Sequence, residues 1–321
     1  MKKFLRAALA LALLAGVWWW LLQHADLAAM AGRIALLPAW AWAAAGIGLL
    51  AGHFMRALRL RAEWRHRGDP GLAACLRMVL VHNAAVLLIP LRGGEGAYLW
   101  MVTRQWGGGW AAAAASLLRW RLQDLLVLCA AAILLLMPWS VAGRLLALLA
   151  LILLAANGLP PLWPWLARRS GLAMQAEQAG PDGQAEQGAR QRVLLGDLWH
   201  GTGASLALWS LKIMANGGLI GALAGLPLEA ALRAGLGGEL GGVQPLQPPA
   251  GLGAYEAGVW LAVRLPVERA PELVAAALAV HAFSLCIALA AAALAQVAIP
   301  PSAGSGLADE GAPAARRQSG G

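Results

Sequence analysis

The apolar run at residues 72–89 is broken by the stretch Pro90-Leu91-Arg92-Gly93-Gly94-Glu95-Gly96-Ala97-Tyr98, and apolar residues then resume. A similar break occurs late in the chain, where Gly251-Leu252-Gly253-Ala254-Tyr255-Glu256 follows Pro248. Five residues of the two breaks match with one mismatch, and the shift from Gly94 to Gly251 is 157 residues. The same shift maps neighbouring apolar runs onto each other. We therefore interpret the chain as two related halves, each containing a broken helix.

The composition of the chain excludes an ordinary soluble protein. Apolar residues make up 60% of the sequence and charged residues 13%, whereas globular domains have about 45–50% and about 25%. The net charge of +9 comes from basic residues between apolar runs, which is typical of cytoplasmic loops and not of nucleic-acid binding. Long apolar runs satisfy their backbone in lipid only as helices. We expect an all-α polytopic membrane protein.

The apolar runs predict about six full spans and two re-entrant segments. The expected spans lie at residues 4–22, 38–55, 110–138, 144–159, 197–225 and 272–299. If both broken segments dip in and return, the halves 1–138 and 143–299 form an inverted repeat. The linker 160–196, the tail 300–321 and both termini then lie in the cytoplasm, and we expect the linker to be flexible and the tail disordered. The alternative is that both breaks are ordinary loops and the repeat is chance.

The candidate substrate-binding residues are ionisable groups beside the breaks or inside spans, where charges usually face a cavity or a partner. They are Arg92, Glu95, Arg121, Asp124, Lys212 and Glu256. The breaks themselves depend on Pro90, Gly94, Gly96, Pro248, Gly251 and Gly253. We expect Arg92 and Glu95 to meet Arg121 and Asp124, which can pair along one helix face, in a cleft suited to an anionic head group. The alternative is that these charges form ion pairs that only fix helix register.

Recognisable catalytic and cofactor patterns are missing from the sequence. The six histidines and three cysteines have no metal-ligand spacing, and no ATP-binding motif or nucleophile-base arrangement stands out. The sequence therefore predicts no metal, no cofactor and no enzymatic activity.

Four short motifs, in order, resemble those of a known membrane-protein family. They are Arg56-x-x-Arg59, then Asn83 followed by Pro90-x-Arg92-x-Gly94-Glu95, then Arg121-x-x-Asp124, then Pro248 followed by Gly251-Leu252-Gly253-x-x-Glu256. The chain is similar in these residues to the lysylphosphatidylglycerol synthase transmembrane, or flippase-like, family of bacteria and archaea. The resemblance covers nearly all of residues 1–299, adds Arg56 and Arg59 to the candidate site, and implies the lipid-translocating part without the soluble synthase domain.

The resemblance and the charged cleft together predict a lipid flippase or lipid-transfer protein of the bacterial inner membrane, with membrane lipid as its partner. Two alternatives remain open. The chain could be a membrane enzyme of lipid or lipid-linked glycan synthesis, with Glu95 and Glu256 as acid and base. It could also be an accessory subunit beside a lipid- or glycan-synthesising protein.

Overall fold

The computed structural model describes residues 26–65, 70–89, 93–106, 109–169, 183–244 and 248–300, together with Trp19 and Gln23. Pro90, Arg92, almost all of the expected span at 4–22 and the tail after residue 300 lie outside the described residues. All regular secondary structure in the described part is helical, which confirms the all-α prediction. The helices are α1 (Leu27–Leu36), α2 (Ala39–Trp64), α3 (Leu72–Leu88), α4 (Glu95–Trp106), α5 (Trp110–Leu135), α6 (Val141–Arg169), α7 (Gly183–Ala224), α8 (Leu228–Gly242), α9 (Ala254–Val263) and α10 (Ala270–Ala298).

Helices α2 to α5 recur as α7 to α10 at the shift of 157 residues (from Gly94 to Gly251). The hairpin of α3 and α4 corresponds to the hairpin of α8 and α9, and the helix bounds agree within two or three residues. The packing is related in the same way, because α5 contacts α7 and α8 while α10 contacts α2 and α3. The described chain therefore contains two interlocked copies of a four-helix unit, which we call the first unit (α2–α5) and the second unit (α7–α10).

Three of the expected membrane spans are long and apolar enough to cross a bilayer. They lie at Ala39–Trp64, Gly201–Ala224 and Val267–Ala298. Helix α5 is 26 residues long, but Arg119, Arg121 and Asp124 make it too charged to stand among them. The described apolar part of α6, Val141–Ala155, is shorter than a full span. These helices establish a membrane-type architecture for the part of the chain that is described.

The helices of the two hairpins are shorter than a bilayer crossing. α3 has 17 residues, α4 has 12, α8 has 15 and α9 has 10, whereas a spanning helix needs about 20. At a rise of about 1.5 Å per residue, even α3 extends only about 25 Å.

Residues 160–196, which the sequence predicts to be a flexible linker, contain helical segments in the structure. Helix α6 continues to Arg169 and α7 begins at Gly183, so helices enter the linker from both sides. Ala, Gln, Glu and Arg, which dominate the later part of this stretch, are strong helix formers. Polar composition therefore did not end the helix where the sequence interpretation placed its end.

The two units pack by different means. In the first unit, the buried rings of Trp64, Tyr98 and Trp120 and the partly buried ring of Trp106 fill the space between helices. In the second unit, backbones approach closely at glycines, and a Cβ at Gly237 would overlap the carbonyl oxygen of Gly258. Small residues permit such close crossings in lipid.

Candidate functional site

A cavity of about 130 Å³ lies between the two units. Helices α2, α3 and α5 contribute one wall, and α7 to α10 contribute the other. The polar residues in its lining include His53, Arg56, His82, Asn83, Arg121, Lys212, Asn216, Glu239, Tyr255, His281 and Ser284. Most of these side chains project from helices that also carry the apolar contacts of the core.

On the first-unit wall, Asp124 is the centre of a buried polar group. The Nη1 atom of Arg59 donates to Asp124 Oδ1 at 3.2 Å and contacts the hydroxyl of Ser205. The Ser205 hydroxyl donates to the same Asp124 oxygen at 2.7 Å. The Nη2 atom of Arg56 lies 3.9 Å from Asp124 Oδ2. The buried guanidinium of Arg59 and the partly buried guanidinium of Arg56 therefore share one carboxylate, and this side of the cavity carries a net positive charge.

Glu95, the first residue of α4, forms an ion pair with Arg121 of α5. The Nε2 atom of His82 lies 3.4 Å from the other Glu95 oxygen. The structure thus brings Glu95 and Arg121 together as expected, while Arg92 lies outside the described residues. Arg121 and Asp124 take different partners, Glu95 and Arg59, and do not form the pair along α5 that their spacing suggested. The reason is that carboxylate and guanidinium groups from other helices reach them at shorter distances.

On the second-unit wall, Glu239 of α8 binds two side chains of α7. Lys212 Nζ donates to Glu239 Oε2 at 2.6 Å, and Asn216 Nδ2 donates to Glu239 Oε1 at 2.9 Å. The Asn216 carbonyl in turn accepts a hydrogen bond from Ser284 Oγ at 2.8 Å. Lys212, predicted as a site residue, is therefore in the cavity, with a carboxylate partner that the sequence interpretation did not include.

Glu256 is fixed at the start of α9. Its Oε2 atom accepts a hydrogen bond from the Gly253 backbone N–H at 2.6 Å, and its Oε1 atom lies 2.8 Å from His281 Nδ1. The His281 ring stacks on Tyr255 with centroids 4.3 Å apart. Glu256 is buried and not itself part of the cavity lining, so its influence reaches the cavity through His281.

Backbone geometry explains the glycines at the two breaks. Gly251 and Gly253 have φ angles of 76° and 85°, which glycine adopts without steric cost. At the first break, a Cβ at Gly94 would overlap the backbone of Ala85 in α3. These glycines allow the chain to reverse tightly at each break. The starts of α4 and α9 therefore bring Glu95 and Glu256 toward the helices that follow. Pro248 precedes the second turn.

Several buried polar atoms of the cavity lining have no hydrogen-bond partner among the described residues. They are His53 Nδ1, Arg56 Nε, His82 Nδ1 and the Tyr255 hydroxyl. Buried polar groups are normally hydrogen-bonded, and exceptions point to water, an ion or a ligand. The cavity is therefore suited to a polar guest that supplies oxygen atoms to Arg56.

Sequence reasoning missed His53, His82, Ser205, Asn216, Glu239 and His281, which form no motif. The repeat offers a signal for four positions on each side, because the 157-residue shift relates Arg59 to Asn216, His82 to Glu239, Tyr98 to Tyr255 and Asp124 to His281. All eight residues are polar and lie in or beside the site.

Comparison with known proteins identifies the family. The family model described as the lysylphosphatidylglycerol synthase TM region matches residues 7–292, which confirms the resemblance carried by the four motifs. No curated protein and no solved structure matches the chain. The match and the apolar helices indicate a membrane-embedded protein of lipid-related biology. The chain therefore belongs to the family of lysylphosphatidylglycerol synthase transmembrane regions.

Proposed function

We propose that this chain is a lipid flippase of the bacterial inner membrane, which moves a phosphate-bearing head group through the cavity while the acyl chains stay in the bilayer. The observation that carries the proposal is Arg56. This partly buried guanidinium lines the cavity, has one distant carboxylate neighbour that it shares with Arg59, and has a further N–H without a partner in the described structure.

Arginine suits a phosphate because its planar group offers paired donors that match phosphate oxygens. A charged head group cannot enter hydrocarbon without compensation, since an ion buried without a partner is strongly destabilised. The positive first-unit wall compensates a phosphate, and the Arg121–Glu95 pair beside it leaves that charge unaltered.

The second-unit wall suits the remainder of a head group. Glu239 is already bound by Lys212 and Asn216. Tyr255 lines the cavity, and its buried hydroxyl has no partner among the residues described. A hydroxyl or amine on the head group would find acceptors here. This arrangement favours phospholipids with a polar substituent on the phosphate over bare phosphatidic acid.

The short hairpins support movement across the bilayer. Interrupted helices at matching positions of two inverted repeats are a common feature of transporter sites near the membrane midplane. The hairpins α3–α4 and α8–α9 occupy such positions, and we propose that they enter from opposite faces. The polar path would then replace the hydrocarbon barrier at the cavity between the units.

A membrane enzyme is the second candidate, because one observation favours it. Glu256 and His281 form a buried pair whose histidine lines the cavity, and a carboxylate-oriented histidine can act as a general base. An enzyme would alter the lipid chemically, whereas a flippase returns it unchanged, so product analysis separates the two functions. An accessory subunit would show neither activity without its partner.

The test is translocation of fluorescent phosphatidylglycerol in vesicles that contain the purified full chain, followed by quenching of the outer-leaflet dye. Loss of a charge-assisted hydrogen bond costs about 1.5–3 kcal/mol. The variant Arg56→Gln should therefore move the lipid roughly tenfold to a hundredfold more slowly. Arg104→Gln, which alters an exposed arginine of α4, is the matched control and should retain the wild-type rate.

Equal rates for Arg56→Gln and wild type would overturn the role of Arg56. No translocation by the wild-type protein, with a modified lipid recovered from the same vesicles, would favour the enzyme. No translocation and unmodified lipid would favour the accessory subunit.

A further inference from the structure

The ion-pair partner of Glu256 distinguishes this residue from the other carboxylates around the cavity. One Glu256 oxygen accepts a hydrogen bond from the Gly253 backbone, and the other lies 2.8 Å from His281 Nδ1. Within the described ranges, its only ion-pair partner is therefore a histidine, and histidine changes its charge near physiological pH. The other carboxylates pair with an arginine or a lysine, in the pairs Asp124–Arg59, Glu95–Arg121 and Glu239–Lys212.

The repeat places this titratable pair where the first unit has a permanently charged one. His281 corresponds to Asp124 at the shift of 157 residues (from Gly94 to Gly251), and each binds an ionisable side chain of another helix. The guanidinium of Arg59 does not release its proton in proteins, so the Asp124–Arg59 pair keeps its charge. The Glu256–His281 pair is negative or neutral, according to whether the imidazole holds a second proton.

The geometry of the pair defines which imidazole nitrogen exchanges the proton. An ionised carboxylate only accepts hydrogen bonds, so His281 Nδ1 carries a hydrogen that it donates to Glu256. His281 also lines the cavity, and its Nε2 atom is not engaged by Glu256. A proton that enters from the cavity therefore binds Nε2, and the resulting imidazolium is paired with the buried carboxylate. Chains of buried carboxylates and histidines form proton relays in membrane transporters.

The pair has titratable and charged neighbours on several helices. Tyr255 of α9 stacks on the His281 ring with centroids 4.3 Å apart. At the start of α10, Arg33 of α1 pairs with Glu272, roughly two and a half turns away from His281. The other such side chains that line the cavity with His281 are His53 and Arg56 of α2, His82 of α3, Arg121 of α5, Lys212 of α7 and Glu239 of α8.

Neither of the other two cavity histidines has a carboxylate to itself in the described structure. The charged neighbours of His53 are the arginine of α2 and the lysine of α7 named above, and these cations oppose a further positive charge. His82 lies 3.4 Å from Glu95, but that carboxylate already pairs with an arginine. An added proton is therefore stabilised most at His281.

Charge balance links this proton to an anionic lipid. In the described structure, the first-unit side has three cations and two carboxylates, whereas the second-unit side has one cation and two carboxylates while His281 is neutral. A monoanionic phosphate neutralises the first side and leaves a negative charge on the second. One proton on His281 removes that charge. Because charges interact strongly in a site with little water, the lipid and the proton stabilise each other.

We propose that the Glu256–His281 pair is a proton-binding site that couples the movement of an anionic phospholipid to that of a proton. This inference rests on the proposed function, to which it adds an energy source. A proton from water binds His281 Nε2 when the phosphate enters the cavity, and it returns to water at the other face when the lipid leaves. One negative and one positive charge cross together, so transport moves no net charge.

The first experiment measures proton uptake when the purified full chain binds phosphatidylglycerol in detergent and weak buffer. At about pH 7, an indicator dye should report about one proton per bound lipid, with the bound lipids counted by native mass spectrometry. His281→Gln and Glu256→Gln should each abolish this uptake per bound lipid. Glu229→Gln is the matched control and should keep it, because it removes an exposed carboxylate of α8 outside the cavity lining.

A zwitterionic lipid tests the charge balance without any variant. The amine of phosphatidylethanolamine supplies its own positive charge to the second-unit side, so each bound lipid should take up no proton. Equal proton uptake per bound lipid for phosphatidylethanolamine and phosphatidylglycerol would contradict the proposed link between the phosphate and the proton.

The second experiment imposes a pH gradient on vesicles that contain the full chain and fluorescent phosphatidylglycerol. A gradient of about one pH unit should shift the leaflet ratio of the lipid toward the alkaline side by as much as about tenfold. A membrane potential without a pH gradient should have no effect, because no net charge crosses. Protein-free vesicles and vesicles with His281→Gln give the background.

Lipid binding by the wild-type protein without proton uptake would overturn the proton site. Uptake that persists in His281→Gln but is lost in His53→Gln or His82→Gln would overturn its assignment to this pair. Translocation that does not respond to the pH gradient would overturn the coupling and leave the flippase standing. Proton uptake on binding, without any translocation, would instead contradict the proposed function and leave the proton site standing.

Discussion

The two units place polar residues at the same four repeat positions but use them differently. In the first unit, Arg59 and Asp124 are bound to each other, and Tyr98 shares a hydrogen bond with Ser116 at 2.7 Å. In the second unit, the equivalents Asn216 and His281 bind other partners, and the Tyr255 hydroxyl has no partner in the described structure. The same arrangement of helices therefore holds a closed, buried polar cluster (Arg59 and Asp124, joined by Ser205 of α7) in the first unit and an open cavity wall in the second.

The same contrast extends to packing. Gly237 and Gly258, which touch between α8 and α9, correspond by the repeat to Leu80 and Met101, which are buried side chains of α3 and α4. The second hairpin is held together by its backbones, whereas the corresponding positions of the first hairpin carry side chains that pack in two different clusters. Close backbone packing leaves the second hairpin little room to rearrange.

The largest effect is expected from Gly237→Ala in the second hairpin. The added Cβ would overlap the carbonyl oxygen of Gly258 and approach Ala262 Cβ, and neither atom belongs to a long flexible side chain that could move away. We expect loss of monodisperse protein in size-exclusion chromatography from detergent.

Gly242→Ala, where a Cβ meets no atom within 4 Å, is the control for Gly237→Ala. It should behave as wild type or slightly better, because alanine favours a helix over glycine by about 1 kcal/mol. Normal yield of both variants would remove the packing difference between the two hairpins.

An intermediate effect is expected at the repeat pair Asp124 and His281. Asp124→Asn leaves the buried guanidinium of Arg59 and the partly buried one of Arg56 without their carboxylate, and breaking a buried ion pair costs about 3–5 kcal/mol. His281→Asn removes one contact to Glu256, which keeps its Gly253 hydrogen bond, and should cost about 1–3 kcal/mol. Thermal unfolding in detergent should rank Asp124→Asn well below His281→Asn.

Combining Asp124→Asn with Arg59→Gln should recover part of the lost stability, since the double variant buries one fewer unpaired charge. If Asp124→Asn and His281→Asn are equally destabilised, the polar cluster of the first unit and the cavity wall of the second do not differ in stability as their contacts indicate.

The sequence was most informative where backbone geometry depends on local composition. The glycines at 94, 251 and 253 marked both turns, and the shift between them anticipated the two hairpins. Charged residues within apolar runs marked the neighbours of Glu95 in the cleft, since a buried charge signals a cavity or a partner.

Lys212 and Glu256 were marked in the same way, and the structure places both in or beside the cavity.

Partners that come together only through the tertiary fold could not be predicted. Ser205 and Glu239 lie in α7 and α8 without a motif, and their roles depend on which helices cross beside them. The spacing of Arg121 and Asp124 predicted a pair on one helix, because local geometry is all that spacing contains. Competition from Glu95 and Arg59 on other helices decided the actual pairing.

The smallest and most selective effect is expected from the two tyrosines of the repeat. Tyr98→Phe removes the hydrogen bond to the buried Ser116 and should lower the free energy of unfolding by about 1 kcal/mol, with lipid translocation unchanged because Tyr98 lies outside the cavity lining. Tyr255→Phe removes a hydroxyl that has no partner in the described structure, so stability should be unchanged or slightly higher. A lost hydrogen bond to the head group is worth about 0.5–1.5 kcal/mol, or roughly a two- to tenfold weaker lipid affinity. Thermal unfolding should therefore be affected in Tyr98→Phe and not in Tyr255→Phe, whereas lipid translocation should be reduced in Tyr255→Phe and not in Tyr98→Phe. If translocation is reduced in Tyr98→Phe and unchanged in Tyr255→Phe, the assignment of the closed polar cluster to the first unit and of the open cavity wall to the second is reversed.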